Sequence, residues 1–267
     1  MIKRLLLAFQ FLTVLPIRVK GDVTDKDVAS AVAFFPAVGA FQGLATAVPA
    51  FFAAKVLPPD VSAALALLFL VLSNYGFDLD GLADTFDGLA IKSTGDAARD
   101  REKRLLVMKD SATGAMGVIA LIVTILLKFA LMKTLLADLS VVRAAALFFL
   151  MPVFSKWVTV PAMYHGTSGR SDGLGRIFVE HARLRDVLLA TLVLSPFCVL
   201  AALLKLVEPS AAAALAFFVF LLALFYAFDL LAVRFLEKRF GGLTGDHFGA
   251  LTETTEVIFL LAACAWL

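Results

Sequence analysis

Cysteine is scarce. The 267-residue chain has two, Cys198 and Cys264, each inside an apolar run. They read as packing residues and say little about compartment. Net charge is also small: 24 Lys and Arg against 22 Asp and Glu leave +2, too little to imply a nucleic-acid partner. The three histidines, His165, His181 and His247, are too scattered to form a metal-ligand set, although His247 stands beside Asp246 and offers an acid or base. The alternation of period two that a membrane β-barrel needs is missing. The apolar stretch Leu5–Ile17 lacks a small-residue cleavage site, so it reads as an uncleaved segment in or near the interface rather than a signal peptide. No internal repeat is evident.

Apolar residues are abundant, at 61% with a mean hydropathy of +0.93, well above a soluble domain. Runs rich in Leu, Ala, Val and Phe recur along the chain and are long enough to cross ~30 Å of hydrocarbon. The expectation is an all-α, polytopic transmembrane helical bundle of about seven spans in one domain, residues 1–267. The spans run roughly over 28–54, broken by Pro36, Gly39, Gly43 and Pro49, then 61–77, 115–136, and 141–163, interrupted by Pro152, Lys156 and Pro161. Residues 187–207, 211–233 and a last helix complete them. Lys and Arg concentrate in alternate loops, with Lys55, Lys133, Arg143 and Lys205 on the poor side. That asymmetry predicts a cytoplasmic N-terminus.

One stretch dominates the polar sequence: Phe77-Asp78-Leu79-Asp80-Gly81-Leu82-Ala83-Asp84-Thr85-Phe86-Asp87-Gly88-Leu89. On a helix, Asp80, Asp84 and Asp87 fall within about 60° of one face, with Asp78 off it. Acids so close repel one another unless a cation neutralises them, and oxygen-only ligands suit Mg²⁺ or Mn²⁺. The plainer reading is a solvated helix end, which the near absence of interleaved bases disfavours. A second acidic face follows near the C-terminus, where Asp246, Gly249, Glu253 and Glu256 share an arc of about 80°. It is expected to turn inward and meet the Asp80 face, unless it is only a helix start that favours acids through its dipole. Between the two lie a basic segment, Lys92 to Asp110, with Ser93 or Thr94 as helix cap, and a glycine loop, Tyr164 to Arg176. Arg99, Arg101, Arg104, Lys109, Arg170 and Arg176 could clamp phosphate, or simply follow the positive-inside rule. Lys109 and Arg176 are the stronger candidates. Acids for Mg²⁺, nearby bases and a membrane-embedded body together suggest phosphoryl transfer on a diphosphate.

The Asp78–Gly88 motif, the later Met108-Lys109-Asp110-Ser111-Ala112-Thr113-Gly114-Ala115-Met116-Gly117 and Gly241-Gly242-Leu243-Thr244-Gly245-Asp246 through Glu253 resemble the cobalamin synthase family (adenosylcobinamide-GDP ribazoletransferases). So do the Phe9-Gln10-Phe11-Leu12-Thr13-Val14-Leu15-Pro16 opening and Phe35-Pro36-x-x-Gly39, so the likeness covers essentially the whole chain. Phe86 stands where that family usually has a small residue, and Ala112 where it has Arg. The resemblance implies a Mg²⁺-dependent enzyme of the bacterial inner membrane that joins adenosylcobinamide-GDP to α-ribazole or its 5′-phosphate and releases GMP. On that reading Asp78, Asp80, Asp84 and Asp87 hold the metal, and Asp87 or Asp246 takes the proton. Lys109, Asp110, Arg104, Arg176 and Glu253 contact substrate. It also implies a distant likeness to CDP-alcohol phosphotransferases, from which Ala83-Asp84 departs, since that motif has Ala-Arg. A phospholipid-type phosphotransferase is the nearest rival, and a cation-coupled transporter the next. The lipid bilayer is the surrounding partner, and a homo-oligomer is compatible with the pattern.

Overall fold

The structure is a computed structural model and describes residues 1–266. Among these, twelve α-helices and one 3-10 segment account for the regular structure, with no strand. The first helix, α1 (Ile2–Leu12), is 11 residues long. It rises only about 16 Å, too short to cross a bilayer. Helix α2 (Asp25–Ala29) and the 3-10 turn Ser30–Phe34 lead into α3 (Phe35–Ala53). There follow α4 (Pro59–Leu72), α5 (Phe77–Leu89), α6 (Ala97–Val107), α7 (Ala115–Asp138), α8 (Val141–His165), α9 (Leu174–His181), α10 (Leu184–Leu203), α11 (Ala211–Phe240) and α12 (Gly245–Trp266).

Six stretches are long and apolar enough to span: residues 25–53, α7, α8, α10, α11 and α12. A seventh exists if α4 and α5 together count as one, although they meet at 84°. The protein is thus a multi-pass helical bundle, but the second expected span is not a straight rod delivering the aspartates at its tip. Helix α4 has 14 residues and rises about 21 Å. It ends where Tyr75 and Gly76 both take left-handed backbone, φ 55° and 72°. No α-helix continues through two such residues. The Asn74 carboxamide holds the corner by accepting from the Gly76 N–H at 2.9 Å.

Other expected interruptions are absent. Helix α8 runs unbroken through Pro152, Lys156 and Pro161, and α3 through Gly39, Gly43 and Pro49. The two glycines are a contact face rather than breaks. A Cβ on Gly39 would run into the backbone of Pro152 and Val153, and one on Gly43 into that of Phe149. Small residues four apart let two apolar helices approach backbone to backbone, the close packing that lipid-embedded helices rely on. The helix expected to be capped by Ser93 or Thr94 starts later. Asp96 caps α6, accepting from Ala98 N and Arg99 N. Ser93 and Thr94 instead donate to Asp100, which holds that carboxyl down at about 2.

Helix α5 is held on three sides. Against α12, a Cβ on Gly81 would lie 2.6 Å from the Asp246 carbonyl, and one on Gly249 2.8 Å from that of Asp78. Against α7, the Asp87 carboxylate accepts from Gly114 N (2.6 Å) and Gly117 N (2.8 Å), capping that helix from a distance. Against α8, buried Asp78 accepts from the Lys156 ammonium at 2.8 and 2.6 Å, and from Asn74. Deeper in the bundle, Lys128 on α7 donates to Glu253 (2.6 Å) and to Glu256, whose other oxygen accepts from Ser155 (3.0 Å). All of these charges are buried. In low dielectric they are tolerable only as pairs.

Two outcomes follow. Gly43→Leu separates α3 from α8, and the protein loses its monodisperse peak in detergent size-exclusion chromatography, whereas Leu44→Ala, on an exposed position, leaves it intact. Asp78→Ala strands a buried ammonium and destabilises by roughly 3–5 kcal/mol, and adding Lys156→Met restores most of that. Chemical unfolding in detergent measures both, and a single variant as stable as the parent would remove the pair from this role.

Candidate active site

The acid face of α5 divides by environment. Asp80 is exposed and Asp84 half-buried, while Asp78 and Asp87 are buried. Asp84 lies in the field of Asp246, Asp80 and Asp87, with Arg170 the cation that opposes them. Asp246 comes from the first turn of α12, brought over α5 by the Gly81 contact. It accepts from Thr244 Oγ1 at 3.3 Å and pairs with Arg170 at 3.1 Å.

Arg170 is placed by its loop. Gly169 N donates to Leu243 O (2.8 Å), and Leu243 N to Thr167 O (2.7 Å), in a one-residue parallel bridge between the glycine loop and the segment before α12. Gly169 and Gly242 pack so closely that neither admits a Cβ. Glu237 at the end of α11 accepts from both Thr167 N and Thr167 Oγ1 at 2.8 Å. Stitching two glycine-rich loops together fixes one guanidinium over the carboxylates. Beyond Arg170 the same loop borders an open groove of ≈ 300 Å³ lined by Lys109, Leu106, Ser171 and Asp172.

Of the residues expected from sequence, Asp80, Asp84 and Asp246 come together at the open end, with Asp87 beneath them. Asp78 does not join them, because both its oxygens serve Lys156. The two oxygens of Asp87 are taken by the α7 backbone, which makes it a poor proton acceptor. Glu253 is sealed in the bundle with Lys128, away from any substrate. Arg104 is buried and donates to Arg239 O and Ile91 O, tying α6 to the end of α11 rather than holding phosphate. Arg176 pairs with Glu180 at 3.1 Å within α9. Lys109 is exposed and 3.8 Å from Asp172. Asp110 turns its carboxylate onto Ala112 N. The His247 ring is buried and accepts from Thr244 N at 3.0 Å, so it serves the helix start.

Sequence reasoning underrated Arg170, which it grouped with the general basic excess, and missed Lys128. It read Lys156 as an interruption. The available signal was a lone lysine inside an apolar run, which demands a buried acid.

Among the described residues, no three acidic, histidine or cysteine side chains converge closely enough to cage a metal unaided. Mg²⁺ rarely needs such a cage: one or two carboxylates plus waters and substrate phosphate oxygens are its usual set. The exposed Asp80 and half-buried Asp84, oxygen donors with no basic partner of their own, suit that arrangement.

The sequence model of the family described as Cobalamin-5-phosphate synthase matches residues 4–264. Among curated relatives, the adenosylcobinamide-GDP ribazoletransferase of Thermodesulfovibrio yellowstonii is 34% identical, covering 98% of this chain and 95% of its own. Those of Syntrophobacter fumaroxidans (35%, covering 96% of each chain) and Geotalea daltonii (32%, covering 99% and 98%) are similar throughout. No solved structure matches. With its whole length and both acidic helices inside the match, the chain belongs to the cobalamin-5-phosphate synthase family of enzymes.

Proposed function

We propose that this protein joins adenosylcobinamide-GDP to α-ribazole, or to α-ribazole 5′-phosphate, and releases GMP, at the cytoplasmic face of a bacterial inner membrane. The observation that carries the reading is the Arg170–Asp246 pair set beside Asp84, a cation and a group of carboxylates at one mouth. A diphosphate needs both: a guanidinium to grip its oxygens and hard oxygen ligands for its counter-ion. Asp80 and Asp84 would hold Mg²⁺. When bound, the metal neutralises charge on the diphosphate and on the departing phosphate.

The chain's own groups then have separable tasks. Arg170 exchanges its carboxylate partner for phosphate oxygens of the donor, which frees Asp246. A ribose hydroxyl of the acceptor attacks the phosphorus attached to cobinamide. An acceptor already phosphorylated on its 5′ oxygen must attack through another ribose hydroxyl, so a secondary hydroxyl serves both acceptors. One ribose O–P bond forms, the P–O–P bond breaks, and GMP leaves. The hydroxyl proton passes to the freed Asp246 carboxylate. Lys109, exposed beside the loop and 3.8 Å from Asp172, would meet guanosine phosphate oxygens as they depart.

With purified protein in nanodiscs, GMP forms only when both substrates are present. EDTA abolishes it, and Mg²⁺ or Mn²⁺ restores it. CMP from CDP-diacylglycerol instead would favour the phospholipid-type rival, and cation flux into sealed vesicles without GMP would favour a transporter. Asp84→Asn and Arg170→Gln each lower kcat by about 10²-fold or more, while the protein stays inserted and unfolds at the parent midpoint. Normal GMP release by either variant excludes the role given to that residue.

A further inference from the structure

Two chambers flank α5, and their sizes differ. One is an open groove of ≈ 560 Å³ bordered by Asp80, Phe77, Leu121 and Ile125. The other is a slot of ≈ 80 Å³ between α5, α8, α9 and α12. By the ~10–15 Å³ that one water needs, the slot has room for roughly half a dozen waters, the bulk of one bicyclic ring. It cannot hold a corrinoid.

The slot is aromatic and nearly neutral. Phe77, Phe178 and Phe248 wall it, and the buried Lys156–Asp78 pair closes one side. Thr252 lines it as well, 1% exposed, with a hydroxyl that has no hydrogen-bond partner among the described residues. A buried hydroxyl left unpaired is costly, and one on a residue that lines a chamber can be satisfied by an acceptor held there. The lysine charge is already matched by Asp78, so a free phosphate gains nothing there. On α12, Gly245, Phe248, Gly249 and Thr252 form one stripe along the slot, and Asp246 is the neighbour of the first. A ligand whose base fills the slot would therefore extend its sugar toward the start of α12, where Asp246 stands.

We infer that this slot holds the base of the acceptor, a flat bicyclic aromatic heterocycle of the benzimidazole type, with a ring nitrogen accepting from Thr252 and the phenylalanine rings stacked about it. The inference rests on the proposed function and assigns one substrate to one side of α5. The wide groove is left to the bulky donor.

The test is equilibrium dialysis of α-ribazole against the full-length protein in nanodiscs, without donor or metal, alongside steady-state GMP formation. Leu174 is 45% exposed at the slot's edge, so Leu174→Trp plugs the mouth without disturbing the core. It weakens α-ribazole binding more than tenfold. Thr252→Val, which keeps the volume, weakens it about three- to tenfold. Both variants raise KM for α-ribazole and leave KM for adenosylcobinamide-GDP unchanged, and free 5,6-dimethylbenzimidazole competes with α-ribazole in the parent. If the parent makes GMP while both variants bind α-ribazole at parental affinity, the slot is overturned and the reaction stands. If the parent makes no GMP, the functional reading itself fails. A rise in KM for the donor alone would reassign the slot to the donor and overturn the inference.

Discussion

The site depends on one contact, the glycine-to-backbone seating of α5 on α12. Gly81 lies against the Asp246 backbone and Gly249 against that of Asp78. Two acidic helix faces repel, so nothing in their charges draws them together. They meet because neither carries a side chain at the crossing and because each is tied elsewhere. Helix α5 is fastened by Asp78 to Lys156 of α8 and by Asp87 to the start of α7, while α12 is fastened by Glu253 and Glu256 to Lys128. The repulsion between the remaining carboxylates is thus sustained by buried pairs further down the same helices.

The four aspartates of α5 illustrate the division. Their three- and four-residue spacing puts three on one face, and from spacing alone all of them looked like ligands. Depth separates them. Asp78, the most buried and off the face, meets a buried lysine. Asp87, on the face but pressed against Gly114 and Gly117, meets two amide donors. Only Asp80 and Asp84 keep oxygens without protein donors, and they are the exposed and half-buried members. A helical wheel carries angle and no depth, which is why spacing alone could not separate the paired aspartates from the free ones.

Other features were legible to a similar degree. Hydropathy located the spans expected at 28–54, 115–136, 141–163 and 187–207 to within a few residues, while the helix expected at 211–233 runs on to Phe240. The expectation that the Asp246 face turns inward agrees with where Glu253 and Glu256 lie. The corner at Tyr75 and Gly76 was hidden, because an apolar run followed by Gly does not announce an 84° turn when the residue before the glycine also takes left-handed backbone. The prolines of α8 and glycines of α3 misled in the opposite direction. In a lipid-embedded bundle a neighbouring helix supports the backbone at such residues, so they mark contacts more often than breaks. Arg170 could not be singled out, since its importance comes from the pairing of Gly169 with Leu243, a contact between loops some seventy residues apart.

On the proposed function, that loop pairing also explains how a mouth with so few free polar groups would favour a diphosphate over a simple cation. With Arg170 engaged by Asp246, that pair is neutral, while Asp80 and Asp84 keep no basic partner of their own. The donor's diphosphate, esterified at both ends and so dianionic, would compete for the guanidinium. As the guanidinium moves to phosphate, Asp246 is left unpaired beside Asp84, and the group's affinity for a divalent ion rises. On the proposed function, donor and metal would favour each other's binding through a single arginine, with the reciprocity required of coupled ligands. A lone cation gains less, because it must displace the arginine without offering it a new partner. On the same reading, the exchange would free Asp246 to take the acceptor's proton only once the donor is in place, which would tie chemistry to the loaded state without a moving lid.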